Sequence, residues 1–313
     1  MDVDVGVTLY DASAGGRLVL GGGDCRSFLH NFCTNDIEGL GDGETCEAFV
    51  TDMTGHVLGH VWVTAEAERL WLHALANGVD LLEAHFQKNL ITEDVVIEDR
   101  TAATSRVVLV GAGAGAAADR IAESVSEACG ERFHRASVDW LGDGDVLLWL
   151  ESDDGSELLL SALATGVSLG TPEAFESGRI AALLPVIGRD IDSTHLAQEV
   201  DRDRRAISLT KGCYLGQETI ARVASRGRVN RVLRGLEFEG PGCPESGSAL
   251  YSEDEREVGR VGSVVPREAI SASCPGTAQA LAVVRREVSE SGTRVRIATS
   301  DGSLWTRIVS PVD

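Results

Sequence analysis

One cysteine of seven sits where a thiol can do chemistry. Cys213 lies in Lys211-Gly-Cys-Tyr-Leu-Gly-Gln-Glu218, between Gly212 and Gly216 and two residues after a lysine. A helical run, Glu218-Thr-Ile-Ala-Arg-Val223, follows at once. Thiolate is the reactive form of cysteine, and a nearby cation or a helix N-terminus favours it. The chain has two lysines, Lys88 and Lys211, against 26 arginines, so a lysine beside this cysteine is not compositional background. Lys211 and Cys213 are therefore the candidate catalytic pair, with the thiolate as nucleophile, redox group or ligand to a metal or cluster. The plainer alternative is a structural cysteine in a turn that glycine permits. Tyr214 completes the motif, and Gln217 and Glu218 can cap the helix or hydrogen-bond a ligand.

Other polar constellations are weaker. Thr34-Asn35-Asp36 forms a polar turn after an apolar helix, which turn chemistry alone can explain. Arg222, Arg226, Arg228, Arg231 and Arg234 crowd the segment after the cysteine. They either satisfy nearby acids and carbonyls or hold an anion. Gly111-Ala-Gly-Ala-Gly-Ala116 follows a strand and opens a helix, as a dinucleotide loop does, but no repeated βαβ units follow and no acid is well placed. It reads as a simple strand-to-helix turn. His56 and His60 straddle the start of a hairpin rather than one helix face, so they read as surface or core histidines and no metal site is expected. Cysteines 25, 33, 46, 129, 213, 243 and 274 contain no CxxC pair. Cys25, Cys33 and Cys129 fall in apolar periodic stretches, where inert buried thiols are expected.

The elements that position these residues follow from periodicity. Leu18–Leu20 reads as a strand, and Asp24 as the cap of a helix with Phe28, Leu29 and Phe32 on one face. Residues 46–51 and 57–64 form a hairpin around Thr54-Gly55, and 70–74 another strand. Asn77 is a candidate cap for a helix to about Leu90. Strands at 95–97, 106–110 and 146–150 alternate with helices at 116–129 and 158–163. Thr171-Pro172 opens a helix to about Leu183. After Arg231 six short β runs follow, at 232–238, 248–251, 257–265, 278–285, 293–298 and 304–309. The pattern is α+β, ferredoxin-like pieces followed by an all-β barrel or sandwich. Three domains are expected: 1–50 with 166–231, then 51–165, then 232–313.

Composition excludes several classes. A net charge of −21 argues against tight sequence-independent binding of nucleic acid, which needs basic surface. No run of eighteen apolar residues exists, so no membrane span is expected, and the acidic N-terminus does not look like a signal peptide. A cytoplasmic location and reduced thiols are the expectation.

The octapeptide 211–218 resembles the signature of the YgfZ family, folate-binding relatives of the glycine-cleavage T-protein that assist iron–sulfur proteins. Phe28-Leu-His-Asn-Phe-Cys-Thr-Asn-Asp-Ile37, Asp52-Met-Thr-Gly-His-Val57 and Ala206-Ile-Ser-Leu-Thr-Lys211 resemble further segments of that family. The likeness spans most of 8–265, with a gap in the middle. It implies a T-protein-like ring with a C-terminal barrel, tetrahydrofolate as cofactor, and iron–sulfur client or assembly proteins as partners. It implies a folate site drawn from Thr34, Asn35, Asp36, Arg179, Glu199, Tyr214, Gln217, Glu218 and Arg222. Two departures stand out. T-proteins carry an aspartate where this chain has Cys213, and no counterpart of their catalytic aspartate occurs near Ala74–Asn77. Relatives also show Arg-x-Glu-x-Gly-x-Pro where this chain has Arg179-Ile-Ala-Ala-Leu-Leu-Pro185, so Ala181 replaces the pterin-binding glutamate and weaker folate binding is expected. A folate-dependent aminomethyl or one-carbon transferase or demethylase of the T-protein superfamily is the alternative function, and an interaction module with a structural Cys213 the third.

Overall fold

The computed structural model describes residues 6–76, 78–152, 157–240, 242–265, 278–299 and 302–311. Asn77, the expected helix cap, and Cys274 lie outside them. The chain runs β1 (Thr8–Asp11), β2 (Arg17–Gly21), α1 (Cys25–Phe32), β3 (Thr45–Thr51), β4 (Val57–Ala65), β5 (Arg69–Ala74), α2 (Asp80–Asn89), β6 (Val96–Asp99), β7 (Thr104–Val110) and α3 (Ala114–Cys129). It continues with β8 (Phe133–Val138), β9 (Asp145–Glu151), α4 (Glu157–Ala164), β10 (Ser168–Leu169), α5 (Pro172–Ala181), α6 (Asp203–Ala206) and α7 (Gln217–Arg226). Six strands close it: β11 (Arg231–Phe238), β12 (Ala249–Tyr251), β13 (Glu257–Val264), β14 (Ala280–Arg285), β15 (Arg294–Thr299) and β16 (Gly302–Val309). The α+β reading with a C-terminal barrel holds.

Two compact units emerge. The first comprises Met1–Met53, Leu58–Pro172 and Arg204–Gln217; the second comprises Thr54–Val57, Glu173–Asp203 and Glu218–Asp313.

The first unit contains two five-stranded sheets, ordered β3-β4-β5-β2-β6 and β10-β1-β7-β9-β8. Side chains alternate across a strand, so each sheet has two faces to fill. One face of the first sheet packs Leu18, Leu20, Val61, Val63, Leu70 and Leu72 against Phe28 and Leu29 of α1 and Leu82 and Phe86 of α2. One face of the second packs Val107, Leu109, Leu148 and Leu150 against Ala117, Ile121 and Val125 of α3 and Leu158 of α4. The intervening positions meet in an aromatic and polar layer. Trp71 lies 5.6 Å from Trp149, His73 4.5 Å from Trp149, and Trp62 5.5 Å from Trp140, measured between ring centroids. Two buried guanidiniums join them. Arg17 donates to Ser13 O (3.0 Å), Gly15 O (2.7 Å) and Thr104 O (2.9 Å), and also to Thr101 O and Thr104 Oγ1. Arg106 donates to Ala12 O (3.0 Å) and Ala74 O (2.9 Å) and lies over Trp140.

Asp24 occupies the cap position of α1, but its side chain does not cap the helix. Its carboxylate accepts the amide of Asp94 at 2.8 Å instead, tying the helix start to the loop before β6. Strands β1, β8 and β10 are additions to the sequence reading.

The second unit is built on a closed barrel, β11-β14-β13-β12-β15-β16. Leu236, Leu250, Val258, Val261, Val284, Val295, Ile297 and Ile308 fill its interior. No long helix interrupts it among the described residues. Within those residues, no helix of the chain is long and apolar enough to cross a membrane.

Candidate functional site around Cys213

The first unit brings the two polar motifs of the sequence together. Helix α1 ends at Phe32, and Cys33 onward forms the Thr34–Asp36 turn. Lys211 reaches into that turn. Its ammonium, in a residue only 8% exposed, donates to the carbonyls of His30 (2.5 Å), Cys33 (2.8 Å) and Asn35 (2.8 Å). All three ammonium hydrogens are thereby engaged. The same group sits 4.9 Å from the centroid of the Tyr214 ring. Burial pulls the lysine below its usual range, and the carbonyl dipoles are what make a cation tolerable there.

Thr34, fully buried, completes the clamp. Its hydroxyl donates to Ala206 O (2.5 Å) and accepts from the Phe49 amide (2.9 Å), while its carbonyl accepts from Ser208 N (2.9 Å). Asn35 donates from Nδ2 to Glu47 O (2.7 Å) and Arg205 O (2.8 Å). Leu215 N donates to Asn31 O (2.9 Å), and Thr51 Oγ1 to Leu215 O (2.8 Å). The loop 206–215 is therefore sewn to the end of α1 on both sides of Cys213. Gly216 turns the chain into α7 at φ +88°, a left-handed conformation that glycine adopts without strain.

Cys213 itself is exposed and free, whereas Cys25, Cys33 and Cys129 are buried. Burial pushes the Cys33 thiol up to about 11 and the Cys46 thiol further, leaving both inert. Tyr214 is buried, and that burial pushes its hydroxyl up to about 12. Gly212 has open space around it; an added Cβ would lie 3.7 Å from His30 Nε2. His30 is buried, and desolvation followed by the charge of Lys211 lowers its pKa, so its imidazole is neutral at pH 7. Its Nδ1 stands 3.4 Å from Asp36 Oδ1. The sequence reading passed over His30; its signal was a histidine inside the apolar Phe28–Phe32 run.

A second buried pair lies under the turn. His60 Nε2 and Glu47 Oε1 are 2.6 Å apart, with the imidazole stacked on Phe49 at 4.8 Å. His56 and His60 accordingly have separate surroundings, His56 bonding Thr54 Oγ1 at 2.7 Å.

Arg179, Glu199, Glu218 and Arg222 fall in the second unit. Arg179 is 1% exposed, and its five N–H groups all have protein acceptors. Nε and Nη2 grip Glu176 at 2.8 and 2.6 Å, Nη2 also reaches Ser263 Oγ at 2.6 Å, and Nη1 reaches Asp190 at 3.1 Å and Leu184 O. No donor is left for a ligand. Glu199 is buried, its two oxygens paired with Arg231 at 3.1 and 3.0 Å. Glu218 and Arg222 are exposed on α7, and Ala181 is exposed at the end of α5.

Of the expected site residues that fall in the first unit, Cys213, Asp36 and Gln217 keep a thiol, a carboxylate and an amide available to a ligand. Asp36 Oδ1 accepts the Gly39 amide at 3.0 Å. Among the described residues no cluster of histidine, cysteine and acidic side chains has the arrangement to hold a metal.

No family model matches the chain. It is 28% identical over 279 residues to an Arabidopsis thaliana protein named as a chloroplastic transferase, matching 83% of this chain and 62% of that one. The chain thus spans less than two thirds of that relative's length. It is 24% identical over 317 residues to the tRNA-modifying protein YgfZ of Yersinia pestis, matching 98% of this chain and 92% of the other. The glycine cleavage system aminomethyltransferase T of Bartonella henselae superposes with a TM-score of 0.82 at 16% identity, over 98% of this chain and 86% of that one. The fold is T-protein-like, and in sequence the chain is similar to YgfZ and to aminomethyltransferases of the glycine cleavage system.

Proposed function

We propose that this chain is a tetrahydrofolate-binding accessory protein that supports assembly or repair of iron–sulfur proteins, with Cys213 as its reactive group. One observation carries the reading: the only motif cysteine is an exposed free thiol on a loop fastened to the Thr34–Asp36 turn by a buried lysine. A residue of purely structural use is seldom held at the surface by so much buried polar architecture. The folate supplies a one-carbon carrier when bound. Asp36 is the group in the first unit suited to its amino-pyrimidine edge, since a carboxylate accepts two parallel N–H bonds. Gln217, four residues after Cys213, offers a donor and an acceptor. Arg179, Lys211 and Thr34 hold the fold rather than the ligand. With Ala181 in place of the relatives' glutamate, binding is weaker than in relatives that keep the acid.

The partners proposed are iron–sulfur client or assembly proteins. The name of the Yersinia relative couples that protein to tRNA modification. At a net charge of −21, this chain acts on RNA through a client enzyme rather than by gripping the nucleic acid itself. The T-protein-like fold favours one second reading, folate-dependent aminomethyl transfer.

A tetrahydrofolate titration followed by intrinsic fluorescence, on wild type and Cys213→Ser, tests the proposal. Saturable binding in both proteins is expected, together with loss of iron–sulfur enzyme activity in cells that carry only Cys213→Ser. Absence of binding sinks the folate assignment. Full cellular activity of Cys213→Ser sinks the role of the thiol. Turnover of an aminomethyl donor would replace the accessory reading with the transferase.

A further inference from the structure

The second unit holds an open cavity of about 1040 Å³ between the outer wall of the barrel and the segment 188–199. It shares no residue with the Cys213 site. Its barrel wall is basic, in a chain that is otherwise strongly acidic. Arg231 on β11 and Arg285 on β14 are direct cross-strand partners, and Arg260 on β13 pairs with Val283, two residues before Arg285. Like charges directly opposite on an antiparallel pair repel, so such a pair persists where something else compensates it.

One arginine of the pair is compensated. Arg231 is held by both oxygens of Glu199. The other acids lining the cavity are engaged elsewhere. Asp190 binds Arg179 and the amides of Val186 and Ser263. Glu257 pairs with Arg260 at 2.7 Å, and Asp192 bonds Thr194 and His195. Arg285 has no carboxylate partner among the described residues. Its Nε makes one long bond, 3.3 Å, to the carbonyl of Glu257, and its two terminal nitrogens stay open. The exposed Asn230 also lines the cavity, immediately before Arg231.

We propose that this cavity is a binding site for a small anionic molecule, whose carboxylate or phosphate end docks on the Arg285 fork beside Asn230 and Arg231. Guanidinium presents parallel donors that match both kinds of oxyanion, and the volume accommodates a ligand well beyond the anion itself. The site goes beyond the folate reading, and stands if that reading fails.

Isothermal titration of the full chain with pyrophosphate, and separately with citrate, at constant ionic strength tests it. Saturable binding of at least one anion is expected, with Kd below about 1 mM. Arg285→Gln weakens it at least about tenfold, the loss of a charge-assisted fork. Arg296→Gln removes the same charge from the Glu255 pair elsewhere on the barrel and leaves binding unchanged. Arg285→Gln without ligand melts at or above the wild-type temperature, because it relieves the repulsion with Arg231. Binding of pyrophosphate alone assigns a phosphate ligand, binding of citrate alone a carboxylate, and binding of both the shared oxyanion. No saturable binding of either by about 10 mM overturns the proposal. So does undiminished binding in Arg285→Gln, or an equal loss in Arg296→Gln.

Discussion

Lys211 shows how one side chain can carry a site without touching its chemistry. Its position beside Cys213 in sequence suggests a direct electrostatic effect on the thiol, yet its ammonium is engaged by three carbonyls at the end of α1. Removing it leaves those carbonyls without their donor, and each such loss in a buried setting costs about 1–3 kcal/mol. Lys211→Met is therefore expected to destabilise the first unit by about 3 kcal/mol or more, read as a shift in the urea midpoint. It is also expected to release the cysteine loop, so that iodoacetamide labels Cys213 with less dependence on the native fold. A stability within 1 kcal/mol of wild type, by the same measure, would show that the clamp is idle. Arg179 makes the same point from the opposite side. The Arg-x-x-x-x-x-Pro spacing was legible in the sequence, but nothing in it revealed that Glu176, Asp190, Ser263 and Leu184 would take all five donors.

At the scale of elements, the two sheets of the first unit meet through a layer of aromatic rings and buried guanidiniums rather than aliphatic side chains. Gly15 marks how tightly it is packed. A Cβ there would land on Arg106 Nη2 and the carbonyl of Ala74, the backbone group that receives that guanidinium. Gly15→Ala is expected to cost about 1–3 kcal/mol, the usual penalty of forcing an extra carbon into a filled interior, measurable as a lower melting temperature. The layer also explains what the sequence hid. The barrel strands and the helix-facing halves of the sheets follow simple apolar periodicity and were readable in advance. Strand β8, Phe-His-Arg-Ala-Ser-Val, sets a histidine, stacked on Trp149, in line with buried Ala136 and Val138 and a phenylalanine in line with exposed Arg135, so its residue types do not alternate although its burial does. Strand β1 and the two-residue β10 were missed for want of length, since they gain their pairing only from β7 and from each other. The Thr34–Asp36 and Lys211–Glu218 motifs were visible as residues, but their union depends on contacts some 170 positions apart in the chain.

For the whole molecule, acid is the condition that should expose the design. His73 is fully buried, and desolvation, with the charges of Arg106 and Arg17 behind it, holds its pKa well below the usual 6.5. Burial lowers His30 and His85 in the same direction. Unfolded, these imidazoles take up protons that the native state refuses. Stability is therefore complete above about pH 6.5 and declines as pH falls below it, by at most about 1.4 kcal/mol per pH unit for each such group. His73→Phe is expected to halt part of that decline between pH 6.5 and 5, and urea titrations at the two pH values measure it; an unchanged slope would assign the loss elsewhere. The burial of Lys211 has a consequence for anyone who tries to catch a partner. With two lysines in 313 residues and one of them sealed, Lys88 on α2 is the only exposed side-chain amine of the native chain. Amine-directed crosslinkers will report an interaction only where it happens to pass Lys88, and a negative result with them says little. Put to use, the same scarcity makes a tag: an amine-reactive dye marks the folded protein at a single side chain, and a second mark at Lys211 records the moment the clamp comes undone.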